Sequence, residues 1–208
     1  MKIAIFGGSF NPVHLGHLYT AEMVLKKQLV QEIWFVPCYK HAFKPEQELA
    51  PYWHRMEMVK LAIKGKKRIR VSAIEKQFKI KFTLDLLKRL RENFPGQEFF
   101  LVIGSELAEE FLEWKNPEEI IKLVKIIVVE KPNKKTIENK LINKKNCVFL
   151  KAKKLFDFSA KTIRENIARG ESVEEMLPKK VKEYIEEKGL YKKACVVNHG
   201  WKEKGQNT

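Results

Sequence analysis

The chain has 208 residues, of which 44% are hydrophobic, and this is enough for one globular domain with a sizeable core. No stretch approaches the roughly 20 consecutive apolar residues of a membrane span, and the opening MKIAIFGGSF turns glycine-rich too early for a signal-peptide core. We therefore expect a cytoplasmic protein without a membrane anchor. The net charge of +15 indicates an anionic partner, which could be nucleic acid, a membrane surface or a phosphorylated small molecule.

Short apolar runs of strand length alternate with helical patterns along the chain. Strands are predicted at residues 2–6, 32–37, 68–74, 98–104, 125–130 and 147–150, and helices at about 15–29, 51–64, 83–93, 105–114, 117–123, 159–170 and 178–191. This alternation predicts an α/β fold with a doubly wound parallel sheet and right-handed crossovers. We expect one domain over residues 1–193, with a helical C-terminal part at about 158–191, and an extension at 194–208.

The three cysteines, Cys38, Cys147 and Cys195, are scattered and contain no CxxC pair. An odd, unpaired set of this kind predicts neither a disulfide framework nor a zinc site. We expect ordinary reduced cysteines.

The segment GGSFNPVHLGH, residues 7–17, follows the first predicted strand and leads into the first predicted helix. In a doubly wound sheet this place lies at the carboxyl edge, where ligands bind. Gly7 and Gly8 leave room for backbone amides to approach a phosphate, and the helix presents its positive end to the same place. The dinucleotide fingerprint is excluded because the next glycine is Gly16, and the P-loop pattern G-x-x-x-x-G-K-[ST] is absent.

His14 and His17 lie three residues apart at the start of that helix. A metal site would need a third ligand, which is not evident in the sequence. A packing role fits poorly beside the glycines of a loop-to-helix entry. We therefore predict that the two imidazoles donate hydrogen bonds to phosphate oxygens, and stabilise the charge that develops during phosphoryl or nucleotidyl transfer.

GGSFNPVHLGH resembles the H-x-G-H signature of the nucleotidyltransferase superfamily, in the version found in nicotinate-mononucleotide adenylyltransferases. Five further segments are similar to motifs of that family and follow in consistent order: YWHRMEMVKLAI (52–63), FTLDLLKRL (82–90), VIGSELAEEFLEWKNPEEI (102–120), FSAKTIRENIARGES (158–172) and LPKKVKEYIEEKGLY (177–191). The resemblance covers residues 2–191. It implies a Rossmann-like nucleotidyltransferase fold and transfer of AMP from ATP to nicotinate mononucleotide, which yields deamido-NAD and pyrophosphate.

The resemblance also implies roles for individual residues in binding ATP. The catalytic pair would be His14 and His17, with His17 on the α-phosphate. Backbone groups of Gly8, Ser9 and Phe10 would contact the nucleotide, and Lys44 would bind a phosphate. Glu106 would contact the ribose, and Ser159 and Arg164 would hold the β- and γ-phosphates. Mg²⁺ would be carried on the ATP phosphates, with no metal ion bound by the protein itself.

For the pyridine mononucleotide, the resemblance points to Thr83 near the ring carboxylate, to Trp114 stacked on the ring, and to Asp85 as a polar contact. The chain departs from the family pattern at three places. Phe43 stands at a position where the family has a phosphate-loop histidine, with His41 nearby; Glu106 replaces an aspartate; and Ala160 replaces a serine.

Several alternatives remain open from the sequence. A sister adenylyltransferase would act on nicotinamide mononucleotide or phosphopantetheine. A basic nucleic-acid-binding module with an incidental HxGH is the alternative from another class. A class I aminoacyl-tRNA synthetase also uses HxGH, but 208 residues leave little room for an anticodon domain. The sequence also leaves homo-oligomerisation open.

Overall fold

The computed structural model describes residues 1–39, 49–132 and 139–192. Six strands form one sheet in the order β3-β2-β1-β4-β5-β6, and every neighbouring pair is parallel. The strands are β1 (Lys2–Gly8), β2 (Glu32–Pro37), β3 (Ile69–Val71), β4 (Glu98–Gly104), β5 (Lys125–Glu130) and β6 (Cys147–Lys151). This order and direction confirm the predicted doubly wound, Rossmann-like α/β sheet.

Within the described ranges, eight α-helices connect or follow these strands: α1 (Leu15–Lys26), α2 (Tyr52–Ile63), α3 (Ile74–Gln77), α4 (Thr83–Asn93), α5 (Ser105–Glu109), α6 (Pro117–Leu123), α7 (Ala160–Arg169) and α8 (Lys179–Glu187). A 3₁₀ helix, Glu110–Glu113, continues from α5. None of the helices described is long and apolar enough to cross a membrane.

The sheet is covered on both faces because alternate residues of each parallel strand point to opposite sides. In β1, Ala4 belongs to one hydrophobic cluster, which also contains Val24 of α1 and Val181 of α8. Ile3 and Ile5 belong to the cluster on the other face, with the leucines of α4. β1 lies in the middle of the sheet, so its carboxyl end opens between the two layers.

Two predicted strands have different bounds in the structure. The strand predicted at 68–74 ends at Val71, because β3 is an edge strand that pairs only with β2 and the chain turns into α3 at Ile74. The strand predicted at 2–6 continues to Gly8, because Gly7 and Gly8 stay in parallel register with Val36 and Pro37 of β2. The two glycines of the motif therefore belong to the strand, and the loop begins at Ser9.

Three predicted helices are shorter than expected. The first stops at Lys26, because Gln28 adopts a left-handed conformation (φ 55°) that ends the helix. The helix predicted over 105–114 changes from α to 3₁₀ geometry at Glu110. The last helix, predicted over 178–191, ends at Glu187, before Gly189 with φ 61°. By contrast, α4 and α6 have the predicted bounds.

The C-terminal helices pack against the start of the chain. The backbone N–H of Leu15 donates to the carbonyl of Met176 over 3.0 Å. His54 Nδ1 of α2 lies 2.9 Å from the hydroxyl of Tyr184 on α8. These contacts support our proposal that the helical part belongs to the same domain as the sheet; residues 194–208 lie outside the described ranges.

Candidate active site

A cavity of about 650 Å³ opens at the carboxyl edge of the sheet, beside the ends of β1 and β4. Its inner wall is apolar and includes Leu86, Leu101 and Ile103. Five of the residues predicted to bind substrates line it: Gly8, Ser9, Thr83, Glu106 and Trp114. The structure thus brings together residues from β1, α4, α5 and the segment before α6, which are up to about a hundred residues apart in the chain.

The position of Asp85 differs from that of its neighbour Thr83. Asp85 is exposed and does not line the cavity, and its Oδ2 lies 3.6 Å from Nζ of Lys115. Glu106 lines the cavity and forms an ion pair with Lys131. Trp114 packs against Phe111, with the ring centroids 5.2 Å apart.

The segment between β1 and α1, residues 9–13, follows the two glycines of the motif and is called the glycine loop here. It turns sharply after Gly8, and the ring of Phe10 packs against that glycine. Phe10 has a φ of 46°, unusual for a residue with a side chain, and its side chain is buried at 2% exposure. The ring lies 5.1 Å from that of Phe35 and 5.0 Å from the imidazole of His17. A Cβ atom on Gly8 would lie 3.2 Å from the Phe10 ring, so the close packing of this ring favours glycine at position 8.

His14 and His17 form a stacked pair next to the Phe10 ring, and neither lines the cavity. His14 is the N-cap residue of α1, and the two imidazole centroids are 3.7 Å apart at an interplanar angle of 29°. The backbone N–H of His14 donates to Nδ1 of His17 over 3.2 Å. Since Nδ1 is the acceptor, the proton of a neutral His17 resides on Nε2, which is left as a donor.

Gly16 lies directly against this pair. A Cβ atom at position 16 would lie 3.1 Å from both Cε1 and Nδ1 of His14. The glycine in HxGH therefore gives the His14 ring the space it needs to stack on His17.

Burial lowers the pKa of both histidines. The pKa of His14 is lowered to about 4 because its ring is withdrawn from water, and its Nδ1 is buried without a hydrogen-bond partner among the described residues. Burial also lowers the pKa of His17 well below 6.5, and a positive charge on His14 would lower it further. Both imidazoles are therefore neutral at pH 7 in the free protein.

The start of α7 lies next to the histidine pair. The ring of Phe158 meets that of His14 edge-on at 5.6 Å. Ser159 is the N-cap of α7, and its Oγ accepts the backbone N–H of Thr162 over 3.2 Å, which is the cap geometry that the sequence predicts. Arg164 reaches back to the glycine loop and donates from Nη1 to the carbonyl of Asn11 over 2.9 Å. Ser159 and Arg164 do not line the cavity itself.

Lys44, His41 and Phe43 lie outside the described ranges, as does Cys195. Cys38 and Cys147 are free thiols. Within residues 1–39, 49–132 and 139–192, no three His, Cys, Asp or Glu side chains group closely enough to hold a metal ion.

Comparison with known proteins shows the family to which this chain belongs. A family model described as cytidylyltransferase-like matches residues 5–166. The chain is 33% identical over 196 residues to a probable nicotinate-nucleotide adenylyltransferase of Flavobacterium psychrophilum, with 93% of this chain and 100% of that protein covered. It is 31% identical over 191 residues to the nicotinate-nucleotide adenylyltransferase of Bacillus subtilis, with 91% and 98% covered. The chain belongs to the nicotinate-nucleotide adenylyltransferase family.

Solved structures agree with this fold. The nicotinic acid mononucleotide adenylyltransferase of Plasmodium falciparum, solved in complex with NaAD, superposes with a TM-score of 0.80 at 23% identity, over 91% of this chain and 97% of that one. A putative nicotinate-nucleotide adenylyltransferase from Vibrio parahaemolyticus gives a TM-score of 0.69 at 22% identity, over 92% and 96%.

For this adenylyltransferase family member, the sequence did not indicate a buried arginine that connects the loops of the site by hydrogen bonds. Arg55 of α2 is 2% exposed and donates to the carbonyls of Ser9 and Ala50, each over 2.9 Å. Its Nη1 also lies 3.6 Å from Sγ of Cys38. Arg55 was visible only as part of the motif HRMEM; its role follows from the tertiary structure, which brings three separate loops around one guanidinium.

Glu75 was also missed. It lines the cavity at 8% exposure, and its Oε2 accepts the backbone N–H of Tyr39 over 2.9 Å. Burial raises the pKa of Glu75 to about 7, although the Tyr39 amide and the charge of Arg55 oppose the shift. No local pattern marks this residue, since the strand predicted at 68–74 ended just before it.

Proposed function

We propose that this protein transfers AMP from ATP to nicotinate mononucleotide and releases deamido-NAD and pyrophosphate. The observation that carries the proposal is one continuous cavity that extends from Gly8 and Ser9, at the start of the loop that leads to the histidine pair, to Thr83 and Trp114. Such a cavity can hold a phosphate at one end and an aromatic ring at the other, as a mononucleotide requires. The names of the Flavobacterium and Bacillus relatives, and the NaAD complex of the Plasmodium protein, support this choice of substrates.

In the proposed reaction, an oxygen of the mononucleotide 5′-phosphate forms a bond to the α-phosphorus of ATP. The bond from that phosphorus to the bridging oxygen of the leaving pyrophosphate breaks, and the electron pair leaves with pyrophosphate. No group of the protein needs to become covalently attached. Catalysis then rests on positioning the two phosphates and on stabilising the charge of the transition state.

His17 is the proposed charge-stabilising residue. Its Nδ1 is engaged by the His14 amide, so a neutral His17 can donate only through Nε2 to a non-bridging oxygen on the α-phosphorus. The stack against His14 holds the ring in this orientation without protonation. We propose that this donor is oriented before the substrate arrives.

The remaining proposed ATP contacts come from the glycine loop and α7. Gly8, Ser9 and Phe10 offer backbone groups, Glu106 the ribose contact, and Ser159 and Arg164 contacts to the β- and γ-phosphates. Arg164 donates from Nη1 to the carbonyl of Asn11, and we propose that its other N–H groups bind a phosphate oxygen. We propose that Lys44 completes the phosphate contacts.

Mg²⁺ is proposed to arrive on the ATP phosphates. The described part of the protein offers no cluster of carboxylates and imidazoles that fits a dedicated metal site, whereas ATP phosphates bind Mg²⁺ with most of its water shell retained. When bound there, Mg²⁺ would neutralise charge on the departing pyrophosphate.

At the other end of the cavity, Trp114 is proposed to stack on the pyridinium ring and Thr83 to meet the ring substituent. Asp85 is a weaker candidate for substrate contact, because it is exposed and paired with Lys115 outside the cavity lining. We propose a phosphorylated small molecule, rather than nucleic acid, as the anionic partner that the charge of +15 indicates.

The decisive experiment measures pyrophosphate release from ATP and Mg²⁺ with nicotinate mononucleotide, nicotinamide mononucleotide and phosphopantetheine in parallel, and identifies the products by mass. The expected result is the largest kcat/KM with nicotinate mononucleotide and a product with the mass of deamido-NAD. Faster turnover of either other acceptor would contradict the proposed acceptor, and no pyrophosphate release with any of them would contradict adenylyl transfer.

A further inference from the structure

Two lysines stand at the ring end of the cavity, and the proposed function assigns neither of them a role. Lys81 and Lys115 both line the cavity, with Phe82, Thr83 and Trp114. The ammonium of Lys115 lies 4.4 Å from the centroid of the Phe82 ring, and that of Lys81 lies 5.5 Å from it. One phenyl ring therefore holds two positive charges close to the same part of the cavity.

The helix that starts between these lysines adds a partial positive charge. α4 begins at Thr83 and runs for 11 residues, and its N-cap residue Phe82 supplies no side-chain acceptor. The first-turn N–H groups of such a helix lack partners within the helix and attract negative charge. Because Thr83 lines the cavity, the positive end of α4 adjoins the two ammonium groups.

Four carboxylates also line the cavity. Glu106 is paired with Lys131, and Glu75 is hydrogen-bonded to the Tyr39 amide. Glu110 and Glu113 also line the cavity, on the 3₁₀ helix that precedes Trp114. Asp85 takes up part of the charge of Lys115 at 3.6 Å, but Lys81 forms no ion pair within the described part of the chain. Among the described residues, Lys81 and Lys115 are the cationic side chains that line the cavity, and both lie beside the Phe82 ring at the start of α4.

We propose that Lys81 and Lys115 are specificity residues that select an acceptor whose pyridine ring carries a carboxylate over one that carries a carboxamide. This inference rests on the proposed function and deepens it, since both acceptors share the ribose phosphate and differ by one negative charge on the ring. A carboxamide gains little from an ammonium, whereas a carboxylate gains Coulomb energy. For partly exposed lysines this gain corresponds to roughly a five-fold preference per lysine.

The test compares Lys81→Gln, Lys115→Gln and the double variant with the wild-type protein. Glutamine keeps length and polarity but removes the charge. For each protein, kcat/KM is measured with nicotinate and with nicotinamide mononucleotide at saturating ATP. The double variant is expected to lose about 10- to 30-fold in kcat/KM for nicotinate mononucleotide, through KM. Its kcat/KM for nicotinamide mononucleotide should change by less than about two-fold, as should its KM for ATP.

Lys88→Gln is the matched control. Lys88 lies on the same helix as Thr83 but pairs with Glu119 at 2.6 Å and does not line the cavity. Its removal should leave the ratio of the two kcat/KM values unchanged. Salt supplies a second readout, because screening should reduce the preference of the wild-type protein and leave that of the double variant nearly constant.

The outcomes separate this proposal from the one on which it rests. If the wild-type protein prefers nicotinate mononucleotide and the double variant keeps the same ratio, the role of the lysines is overturned while the proposed function stands. Equal losses with both acceptors would also overturn it, because they would indicate a general effect on the cavity. A wild-type protein that adenylylates neither mononucleotide overturns the proposed function itself.

Discussion

The imidazole of His17 is stacked on that of His14 at 3.7 Å, and its Nδ1 accepts the backbone N–H of the same histidine. His14 thus fixes both the plane of the His17 ring and the tautomer of that ring. The spacing of three residues allows this contact, since the N-cap position of His14 directs its amide at the first turn of α1.

Replacing His17 by alanine should remove the donor without unfolding the protein. We expect turnover to fall by roughly 100-fold or more, in the range typical of losing a preorganised charge stabiliser, while the midpoint of thermal unfolding changes little. Pyrophosphate release and circular dichroism check the two parts. His54→Gln, on α2 and outside the cavity lining, controls for the loss of a buried imidazole. Near-normal turnover by His17→Ala would contradict the role proposed for this residue.

Gly16→Ala tests whether the stack itself matters. The new methyl group would lie 3.1 Å from the His14 ring and must displace it by a few tenths of an ångström. We expect kcat to fall by about 10-fold or more, whereas stability is retained because alanine favours helix over glycine. Thr20→Ala, on the same helix, controls for the change in helix propensity. Unchanged kcat in Gly16→Ala would show that the position of the His14 ring is not critical.

Arg164→Ala should weaken the use of ATP. The guanidinium donates to the Asn11 carbonyl and is proposed to hold the β- and γ-phosphates with its remaining N–H groups. We expect a higher KM for ATP, a lower kcat and little change in the KM for the mononucleotide. Arg169→Ala is the matched control, because Arg169 lies on the same helix but pairs with Glu171. ATP kinetics that are unchanged in Arg164→Ala would contradict this role.

The stability of the protein should depend on pH in the range set by its buried histidines. Burial lowers the pKa of His14 to about 4, and burial together with the charge of Lys188 lowers that of His54 to about 4. The unfolded chain therefore binds more protons than the folded one between about pH 6.5 and pH 4. The stability that these two neutral histidines contribute is fully present above pH 6.5 and is lost as the pH falls from about 6.5 to about 4.

Urea unfolding at several pH values measures this dependence. The His54→Gln variant, in which one of the two groups no longer titrates, should lose a smaller part of its stability between pH 6.5 and pH 4 than the wild type. An identical slope in both proteins would contradict a lowered pKa for His54.

Arg55→Met should be strongly destabilising. It would leave the buried carbonyls of Ser9 and Ala50 without their donor, and we expect a loss of about 2–4 kcal/mol in the free energy of unfolding. Arg169→Met is the matched control, because both side chains of its pair with Glu171 are about half exposed and the pair should contribute less than about 1 kcal/mol. Denaturant unfolding of both variants measures the difference, and equal losses would contradict a special role for Arg55.

Much of the fold could be predicted from the sequence, because buried parallel strands and amphipathic helices leave strong local patterns. The strands 32–37, 98–104 and 125–130 and the helix 83–93 were predicted with their observed bounds. The end of β3 was not, since the turn after Val71 depends on where an edge strand stops pairing. Residues 105–114 have a helical pattern, and packing changes their geometry to 3₁₀ at Glu110.

Motifs mark the residues that the sequence proposes for the site, and the structure has His14 at the start of α1, Ser159 at the N-cap of α7 and Trp114 in the cavity lining. Arg55 and Glu75 were not, because their positions depend on contacts between loops far apart in the chain. The lysines at the ring end were missed for a different reason. Lys81 and Lys115 are two of many basic residues, and only the fold shows that both reach the same phenyl ring.

The contacts of Asn11 determine how late in synthesis the loop after β1 can reach its final structure. Its Oδ1 accepts the hydroxyl of Tyr191 over 2.8 Å and the amide of Ala50 over 3.0 Å, and its carbonyl accepts from Arg164. The loop at residue 11 leaves the ribosome early, whereas Tyr191 is made 180 residues later. A nascent chain can form most of the sheet before that point, but the loop at residue 11 still lacks its contact with Tyr191, so we expect nucleotide binding only once the helical C-terminal part has folded back.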